Sequence, residues 1–506
     1  MTRRTGIALV AFLAAGITAP ALGAGQRSSG LSSLPATGTV DPRFLSYNIE
    51  MAEVTGGNFW KPYSAPPAGG PKAYRGPIDL DSAKLRHLAA ALAPAYVRYS
   101  GTWANATWFT DAEAAPAKAP AGFDTVLTRQ QWRSAVSFAK ASDAKIVTSF
   151  ASSLGTRDAA GVWQTDTAAR WLAYTRQIGG TIAAAEFVNE PSVIQLTQPP
   201  KGYTPEDYRR DYARFVGWIR KASPQTLIVA PGTAELAEPA RSIMRKSQTV
   251  WENEQLLALD SPKPDVFSFH FYSAISLRCG GAMMGSALAK AASPALLDSV
   301  DAAIALVTHD RDRLAPGKPI WNTESAEGAC GGNPWAATFA DSFRFVDTLG
   351  RSARQGVRVF MHNTLAASDY ALLDEKDFSP RPNYWAAVLW KRTMGTTVLA
   401  PPVTPSPEFR VYAHCLPGKK GGVGLAAVNV GDTPQQIAVG PRAQAWVLTA
   451  PAIDSKALLV NGQAPSLSAN GSLAGLDAVP AAGSLTVPGK GIVFVAVAGA
   501  GNRACR

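Results

Sequence analysis

The sequence predicts a (β/α)8 barrel joined to an all-β module, on three observations. Short apolar, β-branched runs alternate with helix-like stretches from Phe44 to Asn363. There are eight such runs, the number that a closed parallel barrel needs. After Leu399 the helical periodicity fades, and short strand-like runs continue, punctuated by Gly, Pro, Asn and Asp. An open doubly wound sheet is the competing arrangement of the same units.

The first segment is not part of either module. Ile7–Ile17 follows Arg3 and Arg4 and precedes the small residues Ala21, Gly23 and Ala24. Basic, short apolar, then small is the order of a secretory signal, here expected over residues 1–24. The alternative is a buried N-terminal helix. The Arg3-Arg4 pair also matches a twin-arginine export address, but weakly. The barrel is expected over 40–398. Its strands read Phe44–Ile49, Tyr96–Tyr99, Lys145–Phe150, Ala185–Val188, Leu227–Pro231, Val266–Phe271, Pro319–Asn322 and Val357–Asn363. The first helix, Asp81 through Leu92, places Leu85, Leu88, Ala89 and Leu92 at spacings of three and four. Further helices are expected at Gln130–Ser142, Thr167–Gly179, Tyr208–Ala222, Ala295–Arg313 and Ala336–Gln355. The all-β module, over 399–506, reads as a β-sandwich with strands at Gly422–Val430, Gln436–Val439, Gln444–Leu448, Ala457–Val460 and Gly491–Val497. Residues 25–40 are expected to lend it an edge strand. Gly422 through Ala427 superficially matches a dinucleotide-binding fingerprint, but its place in an all-β tail makes it a turn and strand.

A chain of 506 residues, 46% hydrophobic and 17% charged, has ample material for a core, and no apolar run approaches the roughly 18 residues that span a bilayer. Four cysteines in an exported chain suggest two disulfides. Pairing Cys279 with Cys330 and Cys415 with Cys505 keeps each bridge within one module. The five histidines are scattered and there is no Cys-x-x-Cys, so neither a metal nor a cofactor is expected. The net charge of +11 comes from dispersed Lys and Arg. It is compatible with a plain solvated surface or with attraction to an acidic polysaccharide. No nucleic-acid motif accompanies it. The expected protein is a secreted or periplasmic monomer that does not insert into a membrane.

Catalytic groups of such barrels sit at the C-terminal ends of strands. Glu190 follows strand four in the triplet Asn189-Glu190-Pro191, and Glu324 follows strand seven after Trp321-Asn322-Thr323. These strands lie across the barrel mouth from each other, so both carboxyls can face one ligand. That is what glycoside hydrolysis requires: one acid protonates the leaving oxygen and the other handles the anomeric carbon. Glu190 is read as the protonated acid and Glu324 as the anion. Glu327, placed beyond the strand in a Gly-rich loop, is the rival for the second role.

Longer segments carry a family resemblance: Asp41 through Leu45, Ser82 through Leu88, Tyr96 through Thr102, Glu324 through Gly332, Asp369 through Asp374, and Pro382 through Trp385 with the helix to Thr396. Together they resemble glycoside hydrolase family 79, the heparanase and β-glucuronidase family of retaining barrel hydrolases, in the form of a bacterial-type single chain. The resemblance implies that Glu190 is the acid/base and Glu324 the nucleophile, with carboxyls about 5–5.5 Å apart. It also implies that the backbone N–H groups of Gly331 and Gly332 and the hydroxyl of Tyr370 bind a sugar carboxylate. Asn189 would bind a sugar hydroxyl, Tyr272 would hold the nucleophile or the sugar, and Arg98 would orient Glu324. His270 faces either the ligand or the core.

The chain departs from the animal pattern in two places. Only Thr110–Thr128 stands where a long excised segment follows strand two, so a single uncleaved chain is expected. Cys330 replaces an aromatic before the glycines, and its bridge to Cys279 would pin that loop. The insertion Gly56–Gly76, with Trp60 and Tyr63, and the loop Lys201–Tyr203 are expected to shape the cleft, with Trp103 and Trp108 as candidate stacking platforms. Asn105 and Asn470 head glycosylation sequons. The implied substrate is an acidic polysaccharide or glucuronide. Internal cleavage of heparan sulfate-type chains is favoured, and removal of terminal glucuronides is the alternative. An inactive polysaccharide-binding protein and an enzyme for neutral sugars remain as other readings.

Overall fold

The computed structural model describes residues 30–65, 70–116, 118–196, 200–246, 250–280, 287–468 and 471–506. The expected signal peptide and Asn470 lie outside the described residues. Among those described, no helix is long and apolar enough to cross a membrane.

Eight parallel strands close a barrel: β1 Leu45–Glu50, β2 Ala95–Ser100, β3 Ala144–Ser149, β4 Ile182–Glu186, β5 Leu227–Leu236, β6 Val266–Ile275, β7 Ile320–Ala329 and β8 Val357–His362. The long crossover helices are α1 Ala83–Ala90, α2 Arg129–Ala141, α3 Asp166–Gln177, α4 Pro205–Ala222, α5 Pro294–Leu314, α6 Phe339–Arg354 and α7 Pro382–Thr393. Their starts are written in the sequence. Thr128 and Gln131 form a capping box for α2, and Ser293 caps α5 ahead of Pro294. Between β5 and β6 the helices among the described residues are the short Ala240–Lys246 and Asn253–Leu256.

Alternation along the strands sorts the side chains. Phe267, Phe269 and Phe271 of β6 join the large core under the helices, while His270 and Tyr272 fall on the opposite face. Inside the barrel, Tyr96, Val147, Ala184, Val229, Val266, Trp321, Val359 and Met361 pack as a separate apolar cluster. Two residues further along their strands, the same faces carry Arg98 and Glu186. The barrel therefore has an apolar floor and a charged upper layer, and the functional groups stand on that floor.

The observed strands differ from those expected at the upper rim. β4 stops at Glu186, and Phe187 and Val188 continue as buried, apolar coil. β6 and β7 pair beyond the expected limits, His270 to Ile275 against Glu324 to Ala329. Glu324 therefore lies within β7, not after it. Glu327 lies within it too and is fully buried, not in a loop.

The C-terminal module is an antiparallel sheet domain. Its strands are β9 Thr397–Leu399, β10 Phe409–Cys415, β11 Val423–Asn429, β12 Gln435–Thr449, β13 Leu459–Val460, β14 Val479–Val487 and β15 Gly491–Val497. The strand Ala36–Thr39 pairs with β9 at the edge, and the order continues β10, β11, β15, β12, β13, with β14 also on β12. Gly422 through Ala427 runs into β11, with no helix after it. Two expected strands are one: β12 passes through Gly440 and Pro441, whose turn-like chemistry is absorbed as a register shift against β14. β10 went unread because Arg410, Tyr412 and His414 interrupt its apolar residues. Those three face the barrel, while Phe409, Val411 and Ala413 enter the module's own core. Tyr412 donates to Asp347 of α6 at 2.6 Å, and its ring lies against Gly350. Disulfides join Cys279 to Cys330 and Cys415 to Cys505.

Candidate active site

The upper layer is organised around Arg98, 1% exposed. From β2 its Nη1 reaches Glu324 Oε2 at 2.9 Å, and its Nη2 reaches Glu186 Oε2 at 2.8 Å and Asn189 Oδ1 at 2.7 Å. Its Nε donates to both oxygens of Glu186. One planar cation thus fixes the end of β4, the middle of β7 and the segment that carries Glu190, a task suited to the guanidinium fork. Tyr272 donates to the other Glu324 oxygen at 2.5 Å. Burial and the Glu324 charge push the Tyr272 hydroxyl well above its ordinary pKa, so it stays a donor.

Glu190 is held differently. Its φ of +48° lies in the left-handed region, which costs a non-glycine residue energy and is found at sites that need one particular direction. The Asn105 side chain clamps the preceding residue by accepting from the Asn189 N–H at 2.9 Å and donating to its carbonyl at 3.0 Å. Asn105 is thus buried with its amide engaged, which removes it as a glycosylation acceptor. The Asn189 Nδ2 is buried without a partner among the described residues.

His270 sits between the two acids. Its Nδ1 is 2.9 Å from Glu190 Oε1 and 3.6 Å from Glu324 Oε2, and its Nε2 is 3.4 Å from Arg98 Nη2. Arg98 can only donate, so Nε2 accepts and Nδ1 carries the proton, which it gives to Glu190. One oxygen of each acid and one His270 nitrogen lie within 4.8 Å of one another. Three donors so close could ligate a cation, but the Arg98 guanidinium already places positive charge there. A resident metal ion does not fit.

The glycine loop adjoins this centre. Gly331 and Gly332 have φ of +81° and +85°. A Cβ on Gly331 would come within 2.4 Å of Trp60 Cβ, and one on Gly332 within 2.8 Å of Glu327 Oε1, so only glycine fits. Ser276 Oγ and Arg278 Nη1 both donate to the Gly332 carbonyl at 2.8 Å, and Ser368 donates to the Gly331 carbonyl at 2.8 Å. Both N–H groups are left without a partner among the described residues. Tyr370 is buried against Gly332, and its hydroxyl accepts from Asn363 Nδ2 at 3.2 Å. The expected residues Arg98, Asn189, Glu190, His270, Tyr272, Glu324, Gly331, Gly332 and Tyr370 therefore line one mouth. Tyr203 does not: it is buried and donates to Asp211 at 2.9 Å.

Several residues here were not singled out from the sequence. Glu50, the last residue of β1, accepts from Asn363 at 3.2 Å, and its Oε2 has no hydrogen-bond partner among the described residues. Burial, then the Glu324 charge, holds its carboxyl well above the usual range. Gly101 makes room for it, since a Cβ there would overlap Glu50 Oε2. Arg278 pairs with Asp369, stacks 3.8 Å from the centre of the Tyr63 ring, and donates to Lys61, Cys330 and Gly332 carbonyls. It ties the inserted hairpin, the glycine loop and the β8 loop together beside the Cys279–Cys330 bridge.

No family model matches the chain. Heparanase-like protein 1 of Arabidopsis thaliana is 30% identical over 280 residues, 54% of this chain and 47% of the relative. The heparanase of Gallus gallus is 34% identical over 185 residues, 35% of this chain and 34% of the relative. The chain is similar in sequence to the heparanases. A hyaluronoglucuronidase of Hirudo nipponia is 29% identical over 206 residues, 37% of this chain and 42% of that protein. The similarity spans about half the length of the first two heparanase-like relatives. In fold, the chain matches a 4-O-α-L-rhamnosyl-β-D-glucuronidase from Fusarium oxysporum with TM-score 0.62 at 14% identity, over 93% of this chain and 100% of that one. A family 51 α-L-arabinofuranosidase from Bifidobacterium longum matches with TM-score 0.63 at 16% identity, over 92% and 97%.

Glu327, the rival carboxylate, accepts from the Asn333 N–H and side chain and feels the charges of Asp341 and Arg344. Burial, then the Asp341 charge, pushes its carboxyl from 4.5 up to about 7. Between those values the folded protein holds a proton that the unfolded chain has lost, so this group's contribution makes stability fall as pH rises through that window. Glu327→Gln removes the titration. Unfolding midpoints of the variant, measured between pH 5 and 8, are expected to fall less steeply than those of the wild type; parallel curves would refute the assignment.

Proposed function

We propose that this chain is a secreted or periplasmic, monomeric, retaining glycoside hydrolase that cleaves β-linked glucuronic acid within heparan sulfate-type polysaccharide, with neither metal nor cofactor. The observation that carries the reading is the unequal dressing of two close carboxylates. Glu324 meets only donors, Arg98 and Tyr272, which aim an anionic oxygen. Among the described residues Glu190 meets the single donor His270, and it is the more exposed of the two acids.

In the first step a Glu324 oxygen attacks the anomeric carbon while Glu190 gives its proton to the leaving oxygen, and a glycosyl ester forms on Glu324. In the second, Glu190 takes a proton from water, which attacks the same carbon from the side the leaving group vacated and expels Glu324 as its carboxylate. One oxygen of each acid lies within 4.8 Å of the other, a proximity that supports direct attack, because an inverting pair must leave room for a water. The free N–H groups of Gly331 and Gly332, with the Tyr370 hydroxyl, suit the sugar carboxylate. The unpaired Asn189 Nδ2 and Glu50 Oε2 suit its hydroxyls. The names heparanase and hyaluronoglucuronidase, borne by relatives, accord with this substrate class.

The test is incubation with heparan sulfate and with an aryl β-glucuronide, read by chain length and by chromophore. Shortened chains are expected. Chromophore release without shortening would make the enzyme an exo-β-glucuronidase. Silence with both, together with retained binding, would make it a polysaccharide-binding protein.

A further inference from the structure

The hairpin inserted after β1 presents a second recognition surface beside the catalytic mouth. Its strands, Gly57–Trp60 and Lys72–Arg75, pair antiparallel with Trp60 opposite Lys72 and Asn58 opposite Tyr74. Residues two apart on a strand share a face, and directly opposed residues do too. Trp60, Lys72 and Tyr74 therefore form one stripe. On the other face Phe59 is buried, its ring 4.8 Å from that of Trp103.

The stripe starts at the catalytic centre and ends in water. Trp60 abuts Gly331, and Tyr74 is 74% exposed. Between them the Lys72 ammonium lies 4.7 Å from the Trp60 ring centre and 5.0 Å from that of Trp103. The two rings hold it through their negative faces. Among the described residues it has neither a carboxylate nor a carbonyl partner. Another cation of this wall, Arg278, is fully occupied by Asp369 and three carbonyls. Lys72 is exposed as a residue, while the crowding beside its ammonium draws its pKa below the ordinary lysine value by desolvation. An anion at this position would supply the solvation the ammonium has lost.

We infer that Lys72, framed by Trp60 and Trp103, is a subsite for the anionic group, a sulfate ester or a carboxylate, of the sugar adjoining the one held at Glu190 and Glu324. The inference rests on the glucuronide-hydrolase reading and names what that enzyme selects beyond the cleaved unit. The ammonium supplies donors and charge, and the exposed parts of the two indoles supply apolar surface for the C–H face of a pyranose.

The test uses the Glu324→Gln protein, which leaves ligands uncut, with and without Lys72→Met. Three tetrasaccharides share glucuronic acid at the cleaved unit and carry sulfate, carboxylate or neither on the adjoining sugars. Calorimetric titration is expected to show binding of an anionic ligand weakened about tenfold by Lys72→Met, the loss of one charge-assisted hydrogen bond, with the neutral ligand unaffected. A loss confined to the sulfated ligand assigns sulfate, and one confined to the carboxylated ligand assigns carboxylate. No loss, or an equal loss for all three, overturns the inference. Lys72→Met in the otherwise native chain is expected to hydrolyse an aryl monoglucuronide at the wild-type rate. A native chain that hydrolyses no glucuronide would overturn the activity reading while the titration still decides the subsite.

Discussion

Glu324→Gln is expected to fold like the native chain and to hydrolyse an aryl β-glucuronide more slowly by on the order of 10^4-fold or more, as loss of a nucleophile does. Glutamine keeps an oxygen for Tyr272 to donate to and fills nearly the same volume, but its amide cannot form the glycosyl ester. Glu190→Ala has a different signature. Good leaving groups need little protonation, so the ester still forms on Glu324, and hydrolysis stalls for want of a base. Azide needs no deprotonation. Added azide is therefore expected to attack the anomeric carbon, expel Glu324 as its carboxylate, and release a β-glucuronyl azide at a rate well above the variant's own hydrolysis. Product anomer and mass decide it. An α-azide would mean inversion and exchange the proposed roles, and no acceleration would remove Glu190 from the second step.

Both acids were legible in the sequence because each is tied to chain-local chemistry. Asn-Glu-Pro follows an apolar run, and Glu324 ends another such run before a glycine pair. The eight strands were legible for the same reason, since alternation and turn residues act over a few positions. What escaped was set by partners distant in sequence. β6 and β7 extend each other past the expected limits through pairing of residues more than 50 positions apart, and nothing local to Glu327 marks it as a strand residue. Glu50 stands one residue past an apolar run and carries no local signal; its burial depends on Asn363 and on the missing side chain of Gly101. Arg278 gives no signal because its acceptors, backbone carbonyls on two loops and the Asp369 carboxylate on a third, are far from it in sequence. Lys72 and Trp60 are opposed only once the hairpin register is known.

Arg98→Met is the substitution expected to harm stability most. It removes the single cation between Glu186 and Glu324, both nearly inaccessible. Breaking such a buried pair from one side costs about 3–5 kcal/mol, because the remaining charge keeps its desolvation penalty without its partner. Two carboxylates are left without that cation, so the unfolding free energy should fall by about that amount. Arg98→Lys separates charge from geometry. An ammonium restores one positive charge but cannot serve Glu186, Glu324 and Asn189 at once, so much of the stability should return while kcat stays low. Arg98→Met combined with Glu186→Gln closes the cycle. If the loss comes from uncompensated charge, the double variant is more stable than Arg98→Met alone. Additive losses would instead assign it to packing of the arginine stem against the apolar floor. Either outcome bears on catalysis, because the same guanidinium that neutralises the barrel's interior aims the Glu324 oxygen and, through Asn189, steadies the strained turn that presents Glu190.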